Sequence, residues 1–337
     1  MTAEPMALEP IPASLFPPAN EVLQMASPQR VGEPGYYGLP ILKRPLWRWE
    51  IALYFFGEGI SSGAYVLATA ADFFGGPTYL TFIRVSRILS LATMMPCPPL
   101  LIADLGRPER FIHMLRVFKP SSPMNLGAWA LMGFGIPVTL LGAAPFAGLR
   151  IPVRLVSLLG LPPALIMMSY PGVLLSTTSV PLWMHTRQLG ALLASSSMVT
   201  SAAALALASA IHPFMHPRAR RAMRQIEKVA HICEAGALTG FLLQSRDVAK
   251  PLTHGKQSRL FWLGAVGCGL VLPWMINRAQ GKKASRSSTI VSAVLTLAGG
   301  LALKWSIVHA GRESAVDGDA TRRVTKASPE NPGWVRP

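Results

Sequence analysis

The chain has 337 residues, of which 50% are hydrophobic and only 14% are charged, and its formal net charge is +16. This composition is too apolar and too poor in charge for an ordinary soluble protein of that length, so it predicts a membrane protein. The basic residues cluster between apolar stretches, as at Arg218, Arg220 and Arg221. Such clusters indicate charges that set membrane topology and argue against a nucleic-acid surface.

The first segment in chain order is residues 1–48, in which proline and glycine are frequent. It has no basic n-region followed by an apolar h-region, so we expect an extended N-terminal arm and not a signal peptide. The C-terminal tail, residues 312–337, has the same character. Each is either a disordered tail or a strap that lies over a partner subunit.

Between the arm and the tail, residues 49–311 are predicted to form an all-α, polytopic membrane domain of about eight transmembrane helices. Each predicted span has roughly the 20 residues that a helix needs to cross about 30 Å of hydrocarbon. The spans are residues 50–71, 79–103, 126–145, 154–178, 189–212, 224–243, 260–276 and 288–309. The sixth span carries the most charge. An even number of spans places both termini at the same membrane face.

The distribution of Lys and Arg bears on the orientation of the protein. The raw count is higher at the face with the termini, which favours cytoplasmic termini, whereas the charge per loop residue favours the opposite orientation. Because Lys43, Arg44 and Arg48 precede the first span and Asp72 alone follows it, we expect cytoplasmic termini.

A charged segment punctuated by proline, DLGRPERFIHMLRVFKPSSPMNLGAW, occupies residues 104–129 between two predicted spans. Irregular, charged backbone is tolerated against a membrane at the interface, inside protein or beside a water-filled cavity. We therefore expect this segment to be a docking or ligand surface and not a plain connector.

The cysteines and histidines argue against a metal centre. Cys97, Cys233 and Cys268 lie singly within spans without C-x-x-C spacing, so we expect no iron–sulfur cluster and no zinc site. His231 is well inside a span and His309 closes the last one, while the other histidines fall in loops or at span ends. A pair of histidines for an intramembrane haem is therefore not expected.

Two spans carry a stripe of polar side chains at three- and four-residue spacing, which places each stripe on one face of a helix. The stripes are Glu50, Tyr54, Glu58, Ser61 and Tyr65 in the first span, and Arg224, Glu227, His231 and Glu234 in the sixth. Each is either a polar contact between helices or the wall of a proton route or ligand site. Arg84 and Arg87 in the second span are candidate partners for these acids.

Prolines are predicted to bend or break the second and fourth spans, because each removes a backbone donor. They fall within residues 96–99, 162–163 and 169–172, the last reading Ser-Tyr-Pro-Gly. Tyr170 would then lie beside unpaired carbonyl groups with a phenol that can donate or accept a hydrogen bond.

Several segments together resemble the NrfD/PsrC family, the quinone-handling membrane subunits of polysulfide-reductase-type complexes. They are WRWEIALYFFGEGISSGAYV, LIADLGRPERF, KPSSPMNLGAW, SYPGVLLSTTSVPLW and GGLALKWSIVHAGRES, in order from about residue 47 to 314. The resemblance implies an eight-helix subunit of a bacterial-type inner (plasma) membrane, without haem or iron–sulfur cluster of its own. It also implies a ferredoxin-like iron–sulfur partner subunit, which binds a molybdopterin-type catalytic subunit, and a quinone, menaquinone or ubiquinone.

The resemblance also implies site residues. Quinone contacts are expected at Tyr54, Arg107, Ser122 and Tyr170, with Glu58 and Asp104 as the groups that exchange protons. Apart from the resemblance, the polar stripes and the two arginines beside them predict a proton route that involves Glu58, Arg84, Arg87, His231 and Glu234. Arg107 and Arg110 have a rival role, because each can form a salt bridge that holds its own loop.

The predicted function is therefore that of a membrane anchor that does not itself act on the substrate of the complex. It would exchange electrons between the iron–sulfur partner and the quinone pool, and the sequence leaves proton movement open. Two other classes remain: an ion-coupled transporter, although no internal repeat is evident, and a passive scaffold, which has no need of buried acids such as Glu58 and Glu234.

Overall fold

The computed structural model describes residues 42–105, 109–116, 118–211, 215–280, 285–318 and 320–321. The regular secondary structure of these residues is entirely helical, which confirms the all-α prediction. The helices are α1 (Trp49–Phe74), α2 (Leu80–Met94), α3 (Cys97–Asp104), α4 (Arg110–Arg116), α5 (Pro123–Ala147), α6 (Val153–Ser176), α7 (Pro181–Met184), α8 (Gln188–Ile211), α9 (Pro217–Gln244), α10 (Lys250–Thr253), α11 (Leu272–Gln280) and α12 (Arg286–Ser314). A 3-10 turn (Pro77–Tyr79) precedes α2, and a π-helix (Leu260–Val271) continues into α11.

Most of these helices are long and apolar enough to cross a membrane. In the described part of the protein, 7 helical segments pass that test of length and composition, with α2 and α3 counted as one segment and the π-helix and α11 as another. α9 has 28 residues but is more polar. α9 packs against α8 but is not among the 7 segments, so its crossing of the membrane stays a prediction.

Contacts between helix ends define two faces of the bundle. At face 1, where α1 begins and α12 ends, Arg312 Nε donates to the Pro45 carbonyl at 3.1 Å and Thr186 Oγ1 donates to Gln244 Oε1 at 2.7 Å. At face 2, where α1 ends and α12 begins, Arg286 donates to the Ile211 carbonyl at 3.0 Å. Both ends of the described domain therefore emerge at face 1.

α1 is the central helix, since it packs against α2, α3, α6, α8 and α12. Two glycines allow this crowding. A Cβ at Gly59 would overlap the Ser197 hydroxyl, and a Cβ at Gly63 would overlap the Ser201 hydroxyl. Ser201 in turn donates to the Ile60 carbonyl at 3.0 Å. Polar side chains on α1 are therefore placed in the interior of the protein and away from lipid.

The proline predictions had different outcomes. The second span is divided between α2 and α3 at Met95 and Pro96, as expected. Of the bend or break expected at residues 162–163 and 169–172, the break is wrong, because α6 runs without interruption through Pro162, Pro163 and Pro171. A membrane helix tolerates proline where neighbouring helices cover the freed carbonyl groups, and α6 packs against α1, α5 and α8.

The predicted division into arm, membrane domain and tail falls partly beyond the described residues. Residues 1–41 and 322–337 lie outside them, and residues 43–48 precede α1 without helical structure. α12 continues to Ser314, three residues past the predicted end of the domain at residue 311. The roles of the arm and the tail stay predictions.

Candidate functional site

Glu58 is the most unusual residue of the interior. It lies on α1, is fully buried, and neither oxygen of its carboxylate has a hydrogen-bond partner among the described residues. Burying a polar group without a partner costs roughly 1 to 3 kcal/mol, and more for a charged group. Most buried polar groups in proteins are hydrogen-bonded, so a group left unpaired points to a proton, water or ligand that it serves.

Two tyrosines and a lysine surround this carboxylate. Tyr54, one turn before Glu58 on α1, and Tyr170 on α6 both lie within electrostatic range of it. Lys304 on α12 supplies the opposite charge and is itself buried, with 1% of its surface exposed. Cys97 at the start of α3 lies next to these residues, because its Sγ is 4.0 Å from the Tyr54 carbonyl oxygen.

Tyr170 is anchored to the start of α5. Its phenol donates to the Pro123 carbonyl at 2.8 Å, and its ring packs on Gly127, where a Cβ would overlap the phenol. To donate to a ligand, the phenol must give up the bond to Pro123, whereas its lone pairs remain available as acceptors. The sequence-predicted pair of Tyr54 and Tyr170 is therefore brought together around Glu58.

Ser122 and its neighbours build the turn that leads into α5. The Ser122 hydroxyl accepts from the Asn125 amide at 3.4 Å and so caps the helix, and Asn125 Oδ1 accepts from the Lys119 amide at 2.7 Å. Ser122 therefore has a capping role in this structure. Through the bond from Tyr170 to Pro123, the same turn is joined directly to the group around Glu58.

Asp104 ends α3 at face 1. Its carboxylate accepts a hydrogen bond from the backbone of Arg48 and lies within electrostatic range of Glu50 and Arg312. The residue is half-buried, so it contacts both the protein interior and the surface. Arg107 and the side chain of Arg110 lie outside the described residues, and their predicted roles stay predictions.

A row of polar side chains begins at Lys304, next to Glu58, and extends towards α9. Lys304 Nζ donates to Ser196 Oγ on α8 at 3.2 Å, and Ser196 is hydrogen-bonded to Glu234 on α9. Near Glu234, His231 has its Nδ1 2.9 Å from the Glu227 carbonyl, while its Nε2 is buried without a partner among the described residues. Hydrogen bonds therefore connect Lys304 to Glu234 on α9, and Lys304 lies within electrostatic range of Glu58 on α1.

Arg84 and Arg87 lie elsewhere. Arg87 donates to Asp72 Oδ2 and to Ser157 Oγ at 2.8 and 3.0 Å, close to face 2, and Arg84 is exposed. The structure therefore does not bring these arginines to Glu58 or Glu234, the acids for which they were candidate partners. Both arginines belong to the part of α2 that lies near the other end of α1, at face 2.

Sequence reasoning did not single out Ser196 and Asn125. Asn125 is buried, and Ser196 is the hydroxyl between the two charged residues Lys304 and Glu234. A signal exists for Ser196, since three serines in succession, residues 195–197, interrupt an apolar span. Among the described residues no group of three or more His, Cys, Asp or Glu is placed to hold a metal ion.

Comparisons with known proteins cover nearly the whole described domain. A family model described as "Polysulphide reductase, NrfD" matches residues 42–314. The sequence is 29% identical to a chain of the polysulfide reductase of Wolinella succinogenes in an alignment over 301 residues, and the match covers 79% of this protein and 94% of that relative. It is 24% identical to protein NrfD of Escherichia coli (strain K12) in an alignment over 302 residues, and this match covers 79% of this protein and 95% of that relative.

A shorter similarity involves a third relative. The sequence is 33% identical over 89 residues to a putative dimethyl sulfoxide reductase membrane subunit of Halobacterium salinarum, and the match spans 26% of this protein and 20% of that relative.

Proposed function

Because the chain belongs to the polysulphide reductase NrfD family, we propose that it is the membrane subunit of a redox complex and exchanges electrons between an iron–sulfur partner and quinone. Two of the relatives carry a reductase in their names, one a polysulfide reductase and the other a putative dimethyl sulfoxide reductase. The protein itself is a multi-pass membrane protein, and 7 helical segments of its described part are long and apolar enough to cross a membrane.

The unpaired carboxylate of Glu58 is the observation that carries this proposal. A quinone takes up two protons with two electrons, so its site needs hydroxyl donors for the carbonyl oxygens and a group that can hold a proton. Tyr54 and Tyr170 supply hydroxyls beside Glu58, and the carboxylate has both oxygens free of partners among the described residues. The residues present therefore fit a quinone head group, which this environment would bind near face 1.

Each residue has a distinct part in the proposed site. Tyr170 donates to a ligand oxygen by exchanging its bond to Pro123. Glu58 holds a proton next to that oxygen and releases or accepts it as the electron count changes. Asp104 lies at face 1, half-buried, where it can pass protons between the interior and water.

A second route for protons leads away from face 1. The contacts from Lys304 through Ser196 to Glu234 and on towards His231 form a buried line of groups that can hold or pass a proton. We include this line in the proposal as the path that joins Glu58 to α9. Arg87 is bonded to Asp72, so the path leaves it and Arg84 out.

The proposal also places the partner subunit at face 1. The turn before α5 lies at face 1, where Tyr170 donates to the Pro123 carbonyl, and α4 contacts α5. An electron carrier must approach the quinone closely. A cross-linker on Lys119, which is exposed, should reach an iron–sulfur subunit in the purified complex. Cross-links from Lys119 that reach lipid or this protein alone would argue against docking there.

Quinone extraction from the purified complex tests the function itself. The complex, isolated in mild detergent, should contain bound quinone and should reduce or oxidise added quinone with electrons from its catalytic subunit. A transporter or a passive scaffold would show neither property, so a complex with an active catalytic subunit but without quinone binding or turnover would refute the proposal.

A further inference from the structure

A cavity of about 210 Å³ opens at face 2, at the opposite end of the bundle from Glu58. It lies between α8, α9, α11 and α12. The polar groups that matter for its chemistry are Arg220, Arg224, Glu227, Asn277, Arg286 and Ser292. A volume of this size is that of roughly seven water molecules, so it can hold a compact polar head group.

The charges of the cavity are predominantly positive. Three guanidinium groups line it, those of Arg220, Arg224 and Arg286, against the single carboxylate of Glu227. That carboxylate is engaged, because it is hydrogen-bonded to the Asn277 side chain and lies within electrostatic range of Arg224. The arginines that line the cavity therefore exceed its carboxylate by two positive charges.

One of the arginines is held in position by the protein. Arg286, in the first turn of α12, donates to the Ile211 carbonyl at the end of α8, 3.0 Å away. A guanidinium has five N–H donors in a planar fork, so this bond leaves others for a ligand. The planar fork matches the oxygens of a phosphate, with which it forms paired, charge-assisted hydrogen bonds.

An independent observation comes from a serine in the wall of the cavity. Ser292 is 3% exposed, lines the cavity, and its hydroxyl has no hydrogen-bond partner among the described residues. Burying a hydroxyl without a hydrogen-bond partner costs free energy. The unpaired hydroxyl of Ser292 therefore indicates that a ligand in the cavity accepts a hydrogen bond from it. Phosphate oxygens are such acceptors.

The other walls of the cavity are apolar, with Ala206, Ala210, Met215 and Ala293 among them. An apolar wall next to a cluster of arginines at the end of a helix bundle suits a ligand whose charged head is attached to a hydrophobic body. Basic pockets between membrane helices are known to take anionic lipid head groups.

The geometry points to a binding site at face 2 for a phosphate-bearing anion, in which Arg220, Arg224 and Arg286 supply the positive charge and Ser292 donates to the phosphate. The phosphate belongs either to an anionic phospholipid or to a free phosphate ion. This site is separate from the one around Glu58 and does not depend on the proposed function.

The experiment compares two doubly substituted forms of the full-length protein in its purified complex. Arg220→Gln with Arg224→Gln removes the charges that line the cavity. Arg218→Gln with Arg221→Gln removes the same charge from exposed positions of the same helix that do not line it. Binding of phosphatidylglycerol is measured by native mass spectrometry and by the shift of the unfolding temperature, with phosphatidylcholine as the neutral lipid.

Comparison of the two lipids with inorganic phosphate shows whether the bound phosphate belongs to an anionic phospholipid or is a free phosphate ion. Selective, saturable binding of phosphatidylglycerol that falls at least about tenfold in the cavity variant, but within about twofold in the control, supports a lipid site. Stabilisation by inorganic phosphate in phosphatidylcholine alone, lost in the cavity variant, supports a free phosphate site. Equal effects of the two double variants, or no selectivity for either anion, would overturn the inference.

A milder variant guards against loss of folding. Ser292→Ala removes one hydroxyl and no charge, and since the hydroxyl has no partner among the described residues it should leave the unliganded unfolding temperature unchanged. It should weaken binding of the anion about fivefold. Unchanged affinity in a folded Ser292→Ala protein would show that the serine does not face the anion and would contradict the site as described.

Discussion

The two ends of α1 carry polar groups that differ in whether they have hydrogen-bond partners. Towards face 2, Asp72 accepts from Arg87 at 2.8 Å, and Tyr65 donates to the Val156 carbonyl at 3.0 Å. Towards face 1, Glu58 has no hydrogen-bond partner among the described residues although it is the more deeply buried acid. One helix therefore contains a paired carboxylate and an unpaired one.

This difference separates stabilisation from function. Asp72 and Arg87 neutralise each other's charge, and their ion pair joins α1 to α2. Glu58 contributes no such bond, and its burial carries a cost that must be offset elsewhere in the fold. Stability and quinone chemistry should therefore respond in opposite ways to substitutions at the two ends.

The largest expected effect is that of Glu58→Gln. The amide keeps the shape of the side chain but does not exchange a proton, so quinone turnover by the assembled complex should fall about 100-fold. Electron transfer from the catalytic subunit to an artificial dye should stay at the parental rate. The unfolding temperature should change little, because no hydrogen bond to a described residue is lost and Glu234 remains as a charge partner of Lys304.

Asp72→Asn is the matched control for Glu58→Gln. It leaves Arg87 without its charged partner and should lower the free energy of unfolding by about 1 to 3 kcal/mol, with quinone turnover retained. If Glu58→Gln instead destabilised the protein and left turnover intact, Glu58 would be a structural residue like Asp72.

Asp104→Asn comes next in expected size. It removes the acid that we place between Glu58 and water at face 1, so quinone turnover should fall about 30-fold while dye reduction persists. Asp247→Asn, an exposed acid in another loop of the same face, should have no effect. Equal rates in the two variants would remove Asp104 from the site.

Tyr170→Phe compares directly with Tyr65→Phe. Each phenol donates to a backbone carbonyl, Tyr170 to Pro123 and Tyr65 to Val156, so both variants should lose a similar amount of stability. Tyr170→Phe alone should also weaken quinone binding or turnover about tenfold, the worth of roughly 1 to 2 kcal/mol. A loss of turnover in both variants would mean that it reflects stability and not ligand contact.

Ser196→Ala has the smallest expected effect. It breaks the link between Lys304 and Glu234, and should slow proton uptake in vesicles that contain the complex about fivefold. Ser197→Ala is the control, since Ser197 donates to the Leu193 carbonyl of its own helix at 2.7 Å. Proton uptake that responds equally to both substitutions would exclude the path through Ser196.

The sequence predicted the helices better than their interactions. The third span was expected at residues 126–145 and is α5, Pro123–Ala147, because apolar length alone decides where a helix crosses a membrane. The continuity of α6 through Pro171 was not predictable, since it depends on the neighbouring helices that cover the bend. When that packing is not considered, the missing N–H group of proline predicts a break in the helix.

The candidate site was predicted in part. Spacing placed Tyr54 and Glu58 on one face of α1, and Tyr170 entered through the resemblance; the structure brings all three together. The pairing of Arg87 with Asp72 could not be read from the sequence, because it depends on how α2 is rotated against α1. The three successive serines draw attention to Ser196 but do not predict that it links Lys304 to Glu234. A serine in a membrane helix usually donates to a carbonyl of its own helix.

Photolabelling of the assembled complex with an azido-quinone tests the central claim most directly. The labelled peptides, identified by mass spectrometry, should come from the first half of α1 around Glu58 and from the end of α6 around Tyr170, and excess quinone should abolish the label. Label that is confined to the other half of α1, around Tyr65 and Asp72, or to helices that do not contact Glu58, would contradict the account.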